Sequence, residues 1–354
     1  MKILVTLDFP PARGGIQRYL YDRVSHGFGR GDLVIAAGSS GREPIAGRLP
    51  CRVVRAGGPG VRLNVKLALP SVARLLRREV VSGARSCTVE CGNVFAALGA
   101  AWGLRGTGIR YRVYAYGTEL LPLQKSRSLT TIILRRVLRR AACIYVISRF
   151  TESLLRGARV NTPTELHPPR IALRKGLPQR FKQGPPEEGL RVLCVGRLQP
   201  HKGQEVLLRA VAAAPVRTGL HAVLIGNGPS RRNVRRLIRA LGLTRRVELR
   251  TSAGNDELDA AYASTDVLVC PSMPTSGGVE GFGIVLLEAM AFGVPIIASR
   301  TGGIPEVVGD CAILVPPGDP ERLRDALVMA VRDWDGMASK AKQARKRLRA
   351  HYVW

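Results

Sequence analysis

The chain has 354 residues, 45% of them hydrophobic, with a mean hydropathy of +0.03; that length suggests about two ordinary domains, each able to bury its own core. Its formal net charge of +29 is lopsided: residues 1–183 carry 32 Lys and Arg against 9 Asp and Glu, and residues 184–354 carry 23 against 17. Seven scattered cysteines and five dispersed histidines exclude a disulfide framework and a structural metal site, and no uncharged apolar run reaches the ~18–20 residues of a membrane span.

KILVTLD (2–8) reads as a buried strand, FPPARGG (9–15) as a stiff turn, and a helical pattern starts at Ile16. Lys2 is followed by too short an apolar run for a secretory leader. Gly14 and Gly15, at the mouth of that helix, would let backbone N–H groups approach an anion; the pair also fits a plain turn. Strand-like runs recur at 33–37, 87–91, 111–115 and 143–147, with helical stretches between several of them. Two of those stretches, 67–80 and 129–142, are basic and amphipathic, the second setting Ile132, Ile133, Val137 and Leu138 among Arg135, Arg136, Arg139 and Arg140. Such helices suit an anionic membrane surface or a solvated domain face.

The Pro/Gly/Glu break at 182–190 predicts a linker over 183–190, after an N-terminal domain 1–182 and before a second α/β domain 191–336. Strand-like runs there fall at 191–196, 221–226, 246–250, 266–271, 295–299 and 311–315. The basic stretch 337–354 predicts a last helix, stopping at Trp354 without a cap as a truncated end would. Alternating strands and helices predict an α/β fold with parallel sheets in both halves. Ligands in such folds bind at the carboxyl ends of strands, and two halves in a row suggest a cleft between them.

Three loops of the second half carry candidate chemistry. VGRLQPHKGQEVLL (195–208) sets Arg197 and Lys202 after a strand, where a forked cation and a point cation suit a diphosphate. IGNGPS (225–230) offers Gly226 and Gly228 for close approach to a nucleotide or for a tight turn. In VEGFGIVLLEAM (279–290), Glu280 precedes a helix start at Gly281 and Gly283, and N–H groups around Phe282 and Ile284 are free to donate there. Glu288 falls about one and a half turns into that helix, where an apolar setting demands a polar partner such as a ribose diol. A helix-capping acid and a solvent-side glutamate would explain the same two positions.

Together, DFPPARGGIQRYL (8–20), VGRLQPHKG (195–203), EGFGIVLLEAMAFGVPIIAS (280–299) and TGGIPEVV (301–308) resemble the retaining, nucleotide-sugar-dependent glycosyltransferases of family 4, with their E-x7-E motif, along nearly the whole chain. The resemblance implies the GT-B fold: two Rossmann-like, doubly wound parallel-sheet domains facing across a cleft, the first binding acceptor and the second the nucleotide sugar. It implies that Arg197 and Lys202 neutralise the donor pyrophosphate and that Gly15, beside Gly14, reaches the distal phosphate. Glu280, with N–H groups at Phe282, Gly283 and Ile284, would hold the donor sugar, and Glu288 the ribose; Gly228 joins the donor-binding set. No metal is expected where Arg and Lys do this work, and no cofactor beyond a UDP-, GDP- or ADP-sugar donor.

The chain departs from the family at YAYGTELL (114–121), where Tyr116 stands for the usual histidine near the sugar and acceptor, and at Thr251, where glycine is common. The expected activity is hexose transfer to a lipid-linked or surface-polysaccharide acceptor. It would occur in the cytoplasm, peripherally on the inner face of the cytoplasmic membrane, with the basic first half against anionic lipid. A small soluble acceptor is one alternative, and a weakly active nucleotide-sugar binder, because of Tyr116, is another. With 5% aromatic residues and no recognition motif, nucleic acid is not an expected partner.

Overall fold

The computed structural model describes residues 1–10, 14–37, 49–56, 65–83, 87–126, 128–173 and 189–354. The chain divides into two compact units, Met1–Pro169 and Arg170–Trp354. All but the last two residues of the expected linker 183–190 lie outside the described residues.

The first unit is built on seven parallel strands: β1 (Lys2–Thr6), β2 (Leu33–Ala37), β3 (Arg52–Ala56), β4 (Thr88–Cys91), β5 (Tyr111–Ala115), β6 (Cys143–Val146) and β7 (Thr164–Leu166), in the order β3-β2-β1-β4-β5-β6-β7. Ile3, Leu4 and Val5 are fully buried, as continuous apolar strands are when both faces of a parallel sheet are covered. The two strands the sequence pattern did not single out, β3 and β7, are the sheet's edges. One begins and nearly ends on arginine and the other has three residues, so neither shows the apolar run of a central strand. Among the described residues its helices are α1 (Gly15–Gly27), α2 (Val65–Gly83), α3 (Ala96–Gly103), α4 (Leu121–Lys125), α5 (Leu129–Arg140) and α6 (Arg149–Gly157). The expected basic helices are α2 and α5. Ser128 starts α5 by accepting from the Thr131 N–H at 3.3 Å. Arg23 anchors α1 to the sheet, 3.6 Å from the buried Glu90 of β4, which also accepts from the Tyr114 hydroxyl at 2.8 Å.

The second unit has six parallel strands, β8 (Arg191–Val195), β9 (His221–Ile225), β10 (Val247–Arg250), β11 (Val267–Cys270), β12 (Ile296–Ser299) and β13 (Ile313–Val315), ordered β10-β9-β8-β11-β12-β13. Its helices are α7 (Gln204–Ala213), α8 (Arg231–Ala240), α9 (Asn255–Ser264), α10 (Ile284–Phe292), α11 (Ile304–Val308), α12 (Pro320–Arg332) and α13 (Trp334–His351). The helix expected over 337–354 thus starts at Trp334, and beyond His351 the chain is a strand-like tail whose Val353 bridges Ile171. In each sheet the chain winds outward one way and then restarts on the far side of its first strand, between β1 and β4 and between β8 and β11. Loops after those strands flank the topological switch points, where α/β sheets bind ligands. Among the described residues no helix is long and apolar enough to cross a membrane.

Candidate active site

In the second unit three loops meet at the carboxyl end of the sheet. The Leu198 N–H donates to the Asn227 carbonyl and the Ser230 N–H to the Leu198 carbonyl, each at 3.0 Å. Gly228 lies against Leu198 so closely that a Cβ would overlap its carbonyl oxygen. The loop after β8 is likewise laced to the loop after β11. Gly203, at φ +67°, backs onto the Pro271 carbonyl, and the Met273 N–H donates to the His201 carbonyl at 2.9 Å.

This lacing brings Lys202 and Glu280 together. The Lys202 Nζ lies 2.6 Å from the Glu280 Oε2, and the Ser272 hydroxyl donates to the same oxygen at 3.1 Å. Glu280 is 7% exposed, whereas a quarter of the Lys202 side chain meets solvent. Burial pushes the Glu280 carboxyl up, but the Lys202 ammonium and the Ser272 hydroxyl outweigh it and hold it below the usual carboxylate range. Burial pulls Lys202 down, and the Glu280 carboxylate more than reverses that. His201, beside them, is held below its ordinary value by burial and by Lys202, so it is neutral at pH 7. Arg197 is exposed on the same loop, whose backbone is pinned where the Arg197 carbonyl accepts from Gln204 Nε2 at 3.2 Å.

Gly283, at φ +89°, turns the chain into α10. Phe282 is buried with its ring edge-on to Tyr352 at 5.6 Å, so only its backbone is available to a ligand. Ile284 and Glu288 are half-buried. Glu288 accepts from the hydroxyl of Tyr262 on α9 at 2.8 Å, and the Tyr262 ring stacks on Phe292 at 5.4 Å. Tyr262 and Ser272 escape sequence reading: one comes from a separate helix and the other is one serine in a Pro/Ser/Gly loop. Tyr262→Phe removes the hydrogen bond that orients Glu288 and keeps the ring. It is expected to raise the donor KM about tenfold with kcat within about twofold, since a hydrogen bond to a charged group contributes roughly 1.5–3 kcal/mol. Steady-state kinetics decide this, and an unchanged KM sets Glu288 aside as a donor contact.

In the first unit Gly14 and Gly15 are exposed at the start of α1, with 11–13 of the same loop outside the described residues. Tyr116 follows β5 and is buried; its hydroxyl donates to the Gly92 carbonyl at 2.8 Å, and its N–H donates to Glu119 Oε1 at 2.6 Å. Its ring lies edge-on to Tyr19 of α1 at 5.9 Å. Asp8, after β1, accepts from Asn93 Nδ2, after β4, at 2.6 Å. These residues all belong to the carboxyl edge of the sheet. The Tyr116 hydroxyl proton is thus used on the backbone, leaving the oxygen only as an acceptor.

Among the described residues no group of three or more His, Cys, Asp or Glu could hold a metal ion. The chain does contain one Asp-x-Asp triplet, Asp333-Trp334-Asp335. It marks a helix junction: Asp333 caps α13 by accepting from the Gly336 N–H at 3.0 Å, and Trp334 is buried in the core.

Two doubly wound parallel-sheet units with a cationic–acidic site at a switch point define the GT-B fold of nucleotide-sugar enzymes. Solved structures agree: sucrose-phosphate synthase from Thermosynechococcus elongatus matches at a TM-score of 0.80 and 23% identity, over 100% of this chain and 95% of that one. The profile of the family "Glycosyl transferases group 1" matches residues 177–347. A GDP-mannose-dependent alpha-(1-6)-phosphatidylinositol monomannoside mannosyltransferase of Mycolicibacterium smegmatis is 32% identical over 328 residues, covering 87% of this chain and 82% of its own. The protein so described from Mycobacterium tuberculosis is 29% identical over 381 residues, covering 99% and 94%. The chain belongs to the group 1 glycosyl transferases.

Proposed function

We propose that this protein is a retaining hexosyltransferase that moves mannose from GDP-mannose to a glycosylated, lipid-linked acceptor at an anionic membrane surface. The observation that carries it is the pairing of half-buried Lys202 with buried Glu280, 2.6 Å apart at the switch point of the second sheet. Negative charge grows on the diphosphate as the glycosidic bond breaks, and a fixed ammonium in a water-poor setting stabilises it. Arg197, exposed on the same loop, adds a forked cation. Glu280 accepts from sugar hydroxyls while its charge keeps Lys202 protonated. Glu288 accepts from the ribose diol, oriented by Tyr262, and N–H groups from Phe282 to Ile284 complete the donor set. Retention follows from attack on the face that the phosphate leaves. Among the described residues of the second unit, the carboxylate at this site, Glu280, is engaged by Lys202 and Ser272 rather than free as a nucleophile for a two-step route. The cations supply charge that would otherwise come from a divalent ion.

The donor and acceptor are those in the names of the mycobacterial relatives. The membrane reading also rests on surface chemistry. On α5, Leu129, Ile132 and Ile133 are 73%, 51% and 42% exposed beside the exposed Arg136, Arg139 and Arg140, and Trp102 of α3 is 55% exposed. Exposed apolar and aromatic groups among arginines suit the headgroup boundary.

Nucleoside diphosphate release from UDP-, GDP- and ADP-sugars, with and without lipid extract, tests the proposal. The expected result is release from GDP-mannose that lipid stimulates, with an axial anomeric linkage in the product by proton NMR. Release stimulated equally by water-soluble glycosides removes the lipid acceptor, and an inverted linkage removes the mechanism.

A further inference from the structure

Helix α8 carries Arg231, Arg232, Arg235, Arg236 and Arg239 and no acidic residue. Arg245 and Arg246 follow, and no Asp or Glu occurs between 226 and 247. The apolar face is already used: Val234 and Ile238 are buried in the core of the second unit. Arg232, Arg235, Arg236 and Arg239 are exposed. Their spacings, 232–236 and 235–239 at four residues and 232–235 and 236–239 at three, place like charges side by side, where they repel.

Several other helical arginines are tied to the backbone. Arg139 donates to the Arg159 carbonyl at 2.9 Å, Arg345 to Ala291 at 3.1 Å, and Arg347 to Val307 and Glu306 at 2.8 Å. The four exposed arginines of α8 make no hydrogen bond or ion pair among the described residues. A self-repelling, unneutralised row on a rigidly held helix is a surface made for an external polyanion.

We infer that α8 is an electrostatic docking surface for anionic phospholipid, on the second unit and separate from the apolar and basic face of α5. The inference rests on the membrane reading above. The row lies on a convex helix, and residues 229–247 include no aromatic side chain to stack on a base. A plane of phosphodiester headgroups, each accepting a guanidinium fork, fits that shape and chemistry. With Val234 and Ile238 buried and Leu237 packed against the core, the contact is mainly ionic and is screened by salt, whereas α5 also offers exposed isoleucines.

The test uses the full-length chain, with sedimentation on vesicles of phosphatidylcholine with and without phosphatidylglycerol at low and high salt. The variant is Arg232→Gln, Arg235→Gln, Arg236→Gln and Arg239→Gln together; Arg231, next to the Gly228 loop, stays. Its GDP-mannose turnover on detergent-dispersed acceptor is expected to match the parent, and its melting temperature to be equal or slightly higher, since the like-charge repulsion is gone. Its binding to phosphatidylglycerol vesicles is expected to weaken about tenfold or more at low salt, with a shallower salt dependence, since the arginines of α5 remain. Ile132→Ser with Ile133→Ser is expected to weaken binding while keeping the salt dependence. Vesicle binding by the arginine variant equal to that of the parent overturns the inference, as does parent binding to duplex DNA as tight as to vesicles. A parent that binds no vesicles yet glycosylates dispersed acceptor overturns the role of α8 alone. Loss of vesicle binding in the arginine variant, with no transfer from any donor by the parent, overturns the proposed activity and leaves α8 standing.

Discussion

Lys202→Met is expected to lower the rate of sugar transfer by about a thousandfold, the upper range for removing one charge-stabilising donor. Methionine keeps the apolar stem and removes only the charge, so the loss falls mainly on kcat. The same change strands Glu280, and stability should show it. In the parent, the Glu280 carboxyl sits below its ordinary range and Lys202 above its own. The carboxylate's contribution to stability is therefore present above the unfolded carboxylate range and lost as pH falls through the folded value. The ammonium's contribution is present below the unfolded lysine range and lost only as pH rises through its raised folded value. The pair is intact throughout the neutral range. Without Lys202, burial dominates and the carboxyl shifts up instead. The variant is then less stable at pH 7.5 and recovers as acid neutralises Glu280, which urea unfolding at pH 7.5 and 5.5 reads directly. Lys202→Met with Glu280→Gln should regain most of the stability at pH 7.5 and none of the rate. A double variant that regains the rate places catalysis elsewhere.

That contrast is possible because Lys202 and Glu280 meet across 78 residues, and the way they meet shows where sequence reading stops. The loops were legible one by one: strands such as RVLCV and VLVC are apolar runs that end in glycine, proline and charge. Their meeting was not, because it depends on β11 returning to the far side of β8, which no local pattern encodes. The same holds for Tyr262, whose hydroxyl finds Glu288 only once α9 and α10 are packed. Charge gave the opposite error. Summed over residues 184–354 the excess is only 23 basic against 17 acidic residues, since Glu248, Asp256, Glu257 and Asp259 follow soon after α8. The imbalance is a matter of place, and only the burial of Val234 and Ile238 shows that the arginines share a surface.

Gly302→Ala is expected to damage both stability and rate, and to separate two reasons for keeping a glycine. Gly302 has φ +59°, and a Cβ there would overlap the Glu280 carbonyl oxygen, to which the neighbouring Gly303 N–H donates at 3.0 Å. A left-handed conformation costs a non-glycine residue roughly 1–2 kcal/mol; forcing a methyl into packed backbone adds about 1–3 kcal/mol. The sum, about 2–5 kcal/mol, lowers the melting temperature of a unit of this size by roughly 5–15 °C. The backbone that must yield carries Glu280, so a displacement near 1 Å costs about a hundredfold in rate. Gly242 supplies the comparison: its φ is +65°, yet nothing lies within 4 Å of an added Cβ. Gly242→Ala therefore bears the conformational cost alone, about 1–2 kcal/mol, with turnover unchanged. Equal melting shifts and equal rates in the two variants would show that the loop from Thr301 to Gly303 does not hold Glu280 in place. A deeper loss confined to Gly302→Ala, in both melting and kcat, ties the position of the carboxylate to a backbone contact that admits no side chain.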